Sequence, residues 1–293
     1  MEGKDLYSVQ NFIDVQEMNE QEQKGIDKMT NLVIDNIYNW KIEDNEEFRS
    51  TYRNIWTAYN LMKQKFSEVI RDDWERYFEH LRAVTNIILD FIPEPNKEKV
   101  LIALLHDSIE DTNIDFHTLE ILFWPKIAIA VVWLSKKDWK LYITDEETKI
   151  FYFNKNHSDK TIKENENTIL KPLWKERRNK EYFSHLESFD SMLNYVKTIV
   201  KEEDIEWLNE NEIIEITKNI IDVKLADRIH NLSTQWDENN LDKVKRKVEE
   251  TKDYFLDIAK ETNSIVYKKL KTLILDLEIK LANFSNKVDE III

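Results

Sequence analysis

The 293-residue chain contains no cysteine, two glycines and four prolines, and each scarcity removes options. Without cysteine there are no disulfides and no thiolate metal sites, so any bound ion must be held by histidine and carboxylate. The same absence suits a reducing cytoplasm. With so few glycines and prolines the tight turns of a strand-rich fold are hard to build, which moves the expectation to helices. No run reaches the roughly 18 apolar residues of a membrane span, and the N-terminal MEGKDLYSVQ lacks the basic and apolar segments of a signal peptide. Positive charge is also short: 42 Lys and Arg against 57 Asp and Glu leave a net charge of −15, a field that repels duplex nucleic acid. A small anionic substrate fits such a chain only where a metal or clustered Arg and Lys offset the charge locally. The expectation is a soluble cytoplasmic protein, compatible with a homo-oligomer, with no membrane and no nucleic-acid partner.

An apolar content of 42% is enough for a core. Residues 1–47 are polar, with Ile26, Met29, Leu32, Val33 and Ile37 at helical spacing, and read as an N-terminal helical extension. From about 50 to 136 the apolar periodicity is nearly continuous, broken at FIPEPNKEK (91–99), whose two prolines mark a loop. Residues 138–177 change character: KLYIT and KIFYF flank DEET, a pattern for a short β-hairpin, and a polar stretch follows. Helical pattern resumes to 237, and 238–293 form a charged amphipathic tail of one or two helices packing on the core. The fold class expected is all-α, a helical bundle over 48–237 with an insertion and flanking helices.

Chemistry concentrates in three segments. In VLIALLHDSIEDT a buried apolar run leads directly into His106, Asp107, Glu110 and Asp111. If the helix continues, residues four apart share a face, setting His106 above Glu110 and Asp107 above Asp111. In YFEHLRAVTNII, His80 shares its face with Ala83, Val84 and Ile87 and points inward; in VKLADRIHNL, Asp227 is a polar residue at the margin of a buried helix, with Lys224 or Arg228 as ion-pair partners. An isolated His-Asp pair on an acidic face is ordinary. His80, His106, Asp107 and Asp227 together make a two-histidine, two-carboxylate set suited to Mn²⁺ or another divalent ion with positions left for water and substrate. Glu110 and Asp111 are then spare carboxylates one turn away, able to orient or deprotonate an attacking water.

ALLHD-x-x-EDT with KLAD-R-x-HN resembles the HD-domain metal-dependent phosphohydrolases, most closely the hydrolase domain of the RelA/SpoT (p)ppGpp family. The stretch before the first metal histidine in that family reads R-x-x-G-x-x-Y-x-x-H, and here it is Arg71, Trp74, Tyr77 and His80. The resemblance covers about 55–136 and 178–236. It implies that His80, His106, Asp107 and Asp227 bind Mn²⁺ and that Glu110 and Asp111 serve the nucleophilic water. It further implies that Arg71 and Tyr77 line the nucleotide end, Asn231 meets the ribose or phosphate, and Arg178 in ERRNKEYF lies near a phosphate. The activity implied is removal of the 3′-pyrophosphate of (p)ppGpp. Two other readings stay open: an HD hydrolase of another nucleotide phosphate, and a non-catalytic nucleotide-binding HD domain, against which the intact Glu110-Asp111 pair speaks. No synthetase half is expected.

Where that family has glycine, this chain has Trp74, Trp124 and Trp133, and Asn39-Trp40, Asp73-Trp74 and Asp138-Trp139 stand where Asn-Gly and Asp-Gly would make ordinary turns. No glycine follows Gly25, although a chain of this length commonly carries roughly twenty. The pattern predicts that several of the nine tryptophans are glycines in the organism, their UGA codons having been translated under another genetic code. The alternative is a glycine-poor helical protein with genuine tryptophans.

Overall fold

The computed structural model describes residues 20–38, 46–67, 69, 77–147, 171–205 and 207–292. Within them the chain is all-α. Its helices are α1 (Glu20–Tyr38), α2 (Glu46–Lys65), α3 (Tyr77–Phe91), α4 (Lys97–Leu105), α5 (Ser108–Asp111) and α6 (Phe116–Leu134). After a 3₁₀ turn at Trp139–Tyr142 come α7 (Lys171–Ser184), α8 (Phe189–Glu202), α9 (Glu210–Ser233), α10 (Leu241–Tyr254), α11 (Leu256–Thr262) and α12 (Ser264–Ile292). Among the described residues there is no strand.

With glycine nearly absent, helix boundaries are made by short polar side chains. Asn96, Asp115, Ser188 and Asn240 each accept a hydrogen bond from a first-turn backbone N–H of α4, α6, α8 and α10. Asn209 and Glu212 form a reciprocal capping box on α9. That helix is the central post. It buries residues all round, from Ile213 to Leu232, and packs against α3, α4, α6, α8 and α12. One hydrophobic core runs from Ile26 on α1 to Leu277 on α12. The C-terminal region, expected as one or two helices, is three, because Asn263 ends α11 and its Oδ1 then accepts from the N–H of Val266 to restart the chain as α12.

The hairpin expected near 140–153 is corrected in its first arm. Asp138 Oδ1 accepts from the N–H of Lys140 at 3.0 Å, curling Trp139–Tyr142 into a 3₁₀ turn, and Leu141 is 72% exposed with no strand beside it among the described residues. The second arm, 149–153, lies outside them. The turn is tied back through Glu147, which accepts two bonds from Arg177 and one from the Trp174 indole. The Arg177 bonds lead in holding its carboxyl down to about 2.

Helix α6 is apolar and long enough to cross a membrane by length and composition, yet Leu119, Phe123 and most of its apolar residues from Ile127 to Leu134 are buried in the core. It also bends midway. Trp124 sits at φ 69°, ψ 158° before Pro125, a backbone region that only glycine enters at little cost. Trp124 is half exposed beneath Lys97 Nζ, 4.6 Å from its ring centre. Trp133 is fully buried, and its indole N–H has no hydrogen-bond partner. Trp74 lies outside the described residues.

Candidate metal centre

The run from α4 into α5 is not one helix. It breaks at His106 and Asp107, where Asp107 takes φ −100°, ψ 4°, so the expected stacking of His106 over Glu110 is replaced by a corner. Asp107 occupies the N-cap position of α5 but makes no side-chain cap bond. Its carboxylate turns instead to the histidines: His106 Nε2 lies 3.1 Å and His80 Nε2 3.6 Å from Asp107 Oδ2.

His80, on α3, and His106 are both buried, with their Nε2 atoms 3.3 Å apart. His80, His106 and Asp107 offer donor atoms that all fall within 4.8 Å of one another. Asp227, from the buried side of α9, joins through His80 Nε2, 3.4 Å from its Oδ1. Three chain segments more than twenty residues apart thus converge on one point. His106 Nδ1 is 2.8 Å from the carbonyl of Ala103; a carbonyl only accepts, so Nδ1 carries a hydrogen, and the neutral form of the ring presents its lone pair at Nε2. Donor atoms bound to one small divalent ion at roughly 2.0–2.2 Å stand about 3.0–3.5 Å apart; the separations of 3.1, 3.3 and 3.4 Å fall in that range and that of 3.6 Å lies just beyond it. His80, His106 and Asp107 fit such an ion.

Electrostatics agree. Burial, the largest single influence, would lower the His106 imidazole, but the charge and hydrogen bond of Asp107, the charge of Asp227 and the Ala103 carbonyl together outweigh it and lift the group to about 9. His80 is pushed down, chiefly by burial. Burial opposes the charged forms of Asp107 and Asp227, yet both carboxyls lie below the usual range: His106 holds Asp107 there, and Lys224, with Nζ 3.4 Å from Oδ2, leads for Asp227. The ion pair of Asp227 with Lys224 forms as the sequence suggested, whereas Arg228 pairs with Glu250.

The centre opens into a cleft of about 650 Å³. Glu110 and Asp111 line it; Glu110 Oε2 accepts from the backbone N–H of Lys136 at 3.1 Å. Tyr77 also lines it, stacked on Phe66, with its hydroxyl 2.8 Å from Asp107 Oδ2 and 2.6 Å from Asp111 Oδ2. Burial first, then those two carboxylates, push its phenol far up. Asn231 lines the cleft and donates from Nδ2 to Asp227 Oδ1. Arg178 is not in the cleft wall: its guanidinium bonds Asn179. Arg71 lies outside the described residues. Sequence reasoning passed over Lys136 and Lys243, which line the cleft, and His230, whose Nδ1 stands 2.8 Å from His80 Nδ1. The one signal for His230 was its place three residues after Asp227 on the same helix face.

No protein-family model matches the chain, and no curated protein matches it. Among solved structures, a metazoan orthologue of SpoT, described as hydrolysing ppGpp and playing a role in starvation responses, aligns with 80% of this chain and 97% of its own. The identity is 15% and the TM-score 0.42. A likeness that distant assigns no activity.

Proposed function

We propose that the cleft is the active site of a divalent-metal-dependent phosphohydrolase of the HD type, and that its substrate is (p)ppGpp, from which water releases the 3′-pyrophosphate. The observation that carries the reading is the meeting of His80, His106 and Asp107 donor atoms within 4.8 Å, with Asp227 3.4 Å from His80, at the mouth of a cleft lined by Glu110 and Asp111. His80, His106, Asp107 and Asp227 hold the ion, with Mn²⁺ as the favoured occupant. When bound, the ion lowers the pKa of water and polarises a phosphoryl oxygen.

The remaining work belongs to the chain. Glu110, anchored at Oε2 by the backbone of Lys136, and Asp111 are the acceptors for the water's proton. Burial raises the Asp111 carboxyl above its ordinary value, with the Tyr77 hydrogen bond opposing and the Asp107 and Glu110 charges adding to the rise, which makes it a stronger base than a solvated aspartate. Lys136 and Lys243 supply positive charge to the cleft wall, the local offset that an anionic substrate requires in a chain of net charge −15. Asn231 at the cleft wall is a donor for ribose or phosphate, and Arg71 the group for the nucleotide end.

The test is pyrophosphate release from ppGpp by purified protein, with Mn²⁺ and with chelator, beside a panel of other nucleotides. Metal-dependent release with GDP as co-product is the expected result. Release from another nucleotide alone would move the substrate, and a metal-loaded protein inert toward every member of the panel would make it a nucleotide-binding domain.

A further inference from the structure

His106 and His80 are both buried at the centre, but their outer nitrogens are handled differently. The outer nitrogen of His106 faces the Ala103 carbonyl, which fixes its hydrogen. That of His80 faces a second imidazole: His230 Nδ1 lies 2.8 Å from His80 Nδ1, the rings are 4.8 Å apart and tilted by 53°, and both residues are buried. An imidazole nitrogen can donate or accept, and two nitrogens at that distance share one hydrogen. Which of them carries it decides what His80 presents to the centre.

We propose that His230 is a positioning residue that sets the tautomer of His80, accepting the Nδ1 hydrogen so that His80 Nε2 is bare toward His106, Asp107 and Asp227. This rests on the reading of those residues as a metal centre. In the opposite arrangement His230 donates, the His80 hydrogen moves to Nε2, and it points at Asp227 Oδ1, 3.4 Å away, where it occupies the ion's place. Placement of His230 follows from the helix that supplies Asp227: three residues further along α9, its ring reaches past that carboxylate to the back of His80. A first-ligand histidine is usually oriented by a carbonyl or carboxylate. Here the orienting group is itself a tautomer, so His230 must keep its own hydrogen on Nε2 for the centre to load.

The experiment uses the full chain. Mn²⁺ affinity is measured by calorimetry for wild type, His230→Leu and His230→Gln, and the imidazole ¹⁵N shifts of wild type are recorded with diamagnetic Zn²⁺. His230→Leu removes the acceptor, and Mn²⁺ binding is expected to weaken about 10–100-fold. His230→Gln keeps an amide oxygen that accepts, and most of the affinity is expected to return. In Zn²⁺-loaded wild type, His80 is expected to be protonated on Nδ1 and His230 on Nε2. Hydrogen on His230 Nδ1, equal losses in Leu and Gln, or undiminished affinity in His230→Leu would each overturn the inference while leaving the metal centre standing. Failure of wild type to bind Mn²⁺ or Zn²⁺ at all would remove both.

Discussion

The carboxylates that draw a cation toward His80 and His106 also draw a proton, and the two compete. With the His106 imidazole lifted to about 9 against burial, by Asp107, Asp227 and the Ala103 carbonyl together, an ion entering the proposed centre at neutral pH competes with a proton. A group whose folded pKa is raised binds its proton at every pH below that value. Apparent Mn²⁺ affinity is therefore expected to rise about tenfold per pH unit from neutrality toward 9 and then level off. Calorimetric titration across that range checks it; a flat profile contradicts the prediction. Trp124 gives a second prediction. Its backbone at φ 69°, ψ 158° costs on the order of 1–3 kcal/mol for a residue with a side chain, more than glycine loses in unfolded-state entropy. Trp124→Gly is expected to stabilise the protein by about 1 kcal/mol in urea unfolding, and a clear loss would contradict that. The expectation that Trp74, Trp124 and Trp133 are glycines in the organism is settled by their codons; UGG at all three sinks it. At this scale the meeting of His80, His106 and Asp107 was legible because only histidine and carboxylate could bind an ion in a chain without cysteine. The His80–His230 contact was not, since it joins residues 150 apart in sequence.

Helix α9 does the most positioning, and its start and its working end are separate problems. Asn209 and Glu212 cap the first turn, roughly 27 Å along the axis from Asp227 at 1.5 Å per residue. Asn209→Ala is expected to cost about 1 kcal/mol of stability while leaving Mn²⁺ affinity unchanged, as thermal unfolding and metal titration on the same sample would show. A fall in affinity of tenfold or more would mean that the centre senses the whole helix. The helical identity of the elements around the site was readable from apolar periodicity. Their breaks were not: the corner at His106 and Asp107 and the restart at Asn263 arise from side chains turned to tertiary partners or caps, which periodicity does not register. The 3₁₀ turn at Trp139–Tyr142 was misread as a strand because alternation over five residues fits either structure, and the cap from Asp138 decided it.

Across the whole molecule, a net charge of −15 surrounds a cleft where Lys136, Lys224 and Lys243 stand among the carboxylates. Asp107 and Asp227 lie below the ordinary carboxylate range, so the stability they contribute is present above a pH of about 4 and lost as acid titrates them below it. Metal-free protein is accordingly expected to lose urea stability steeply on acidification below that pH, and Asp107→Asn to flatten the slope; equal slopes would contradict the assignment. The proposed site divides its labour between carboxylates that hold an ion and carboxylates that handle water. That division is tested most directly by comparing Asp107→Ala with Glu110→Ala for bound Mn²⁺ and for pyrophosphate release. Asp107→Ala is expected to lose the ion, and Glu110→Ala to keep it while turnover falls by about 10²-fold or more. Full turnover in Glu110→Ala, or bound Mn²⁺ and undiminished activity in Asp107→Ala, would contradict it.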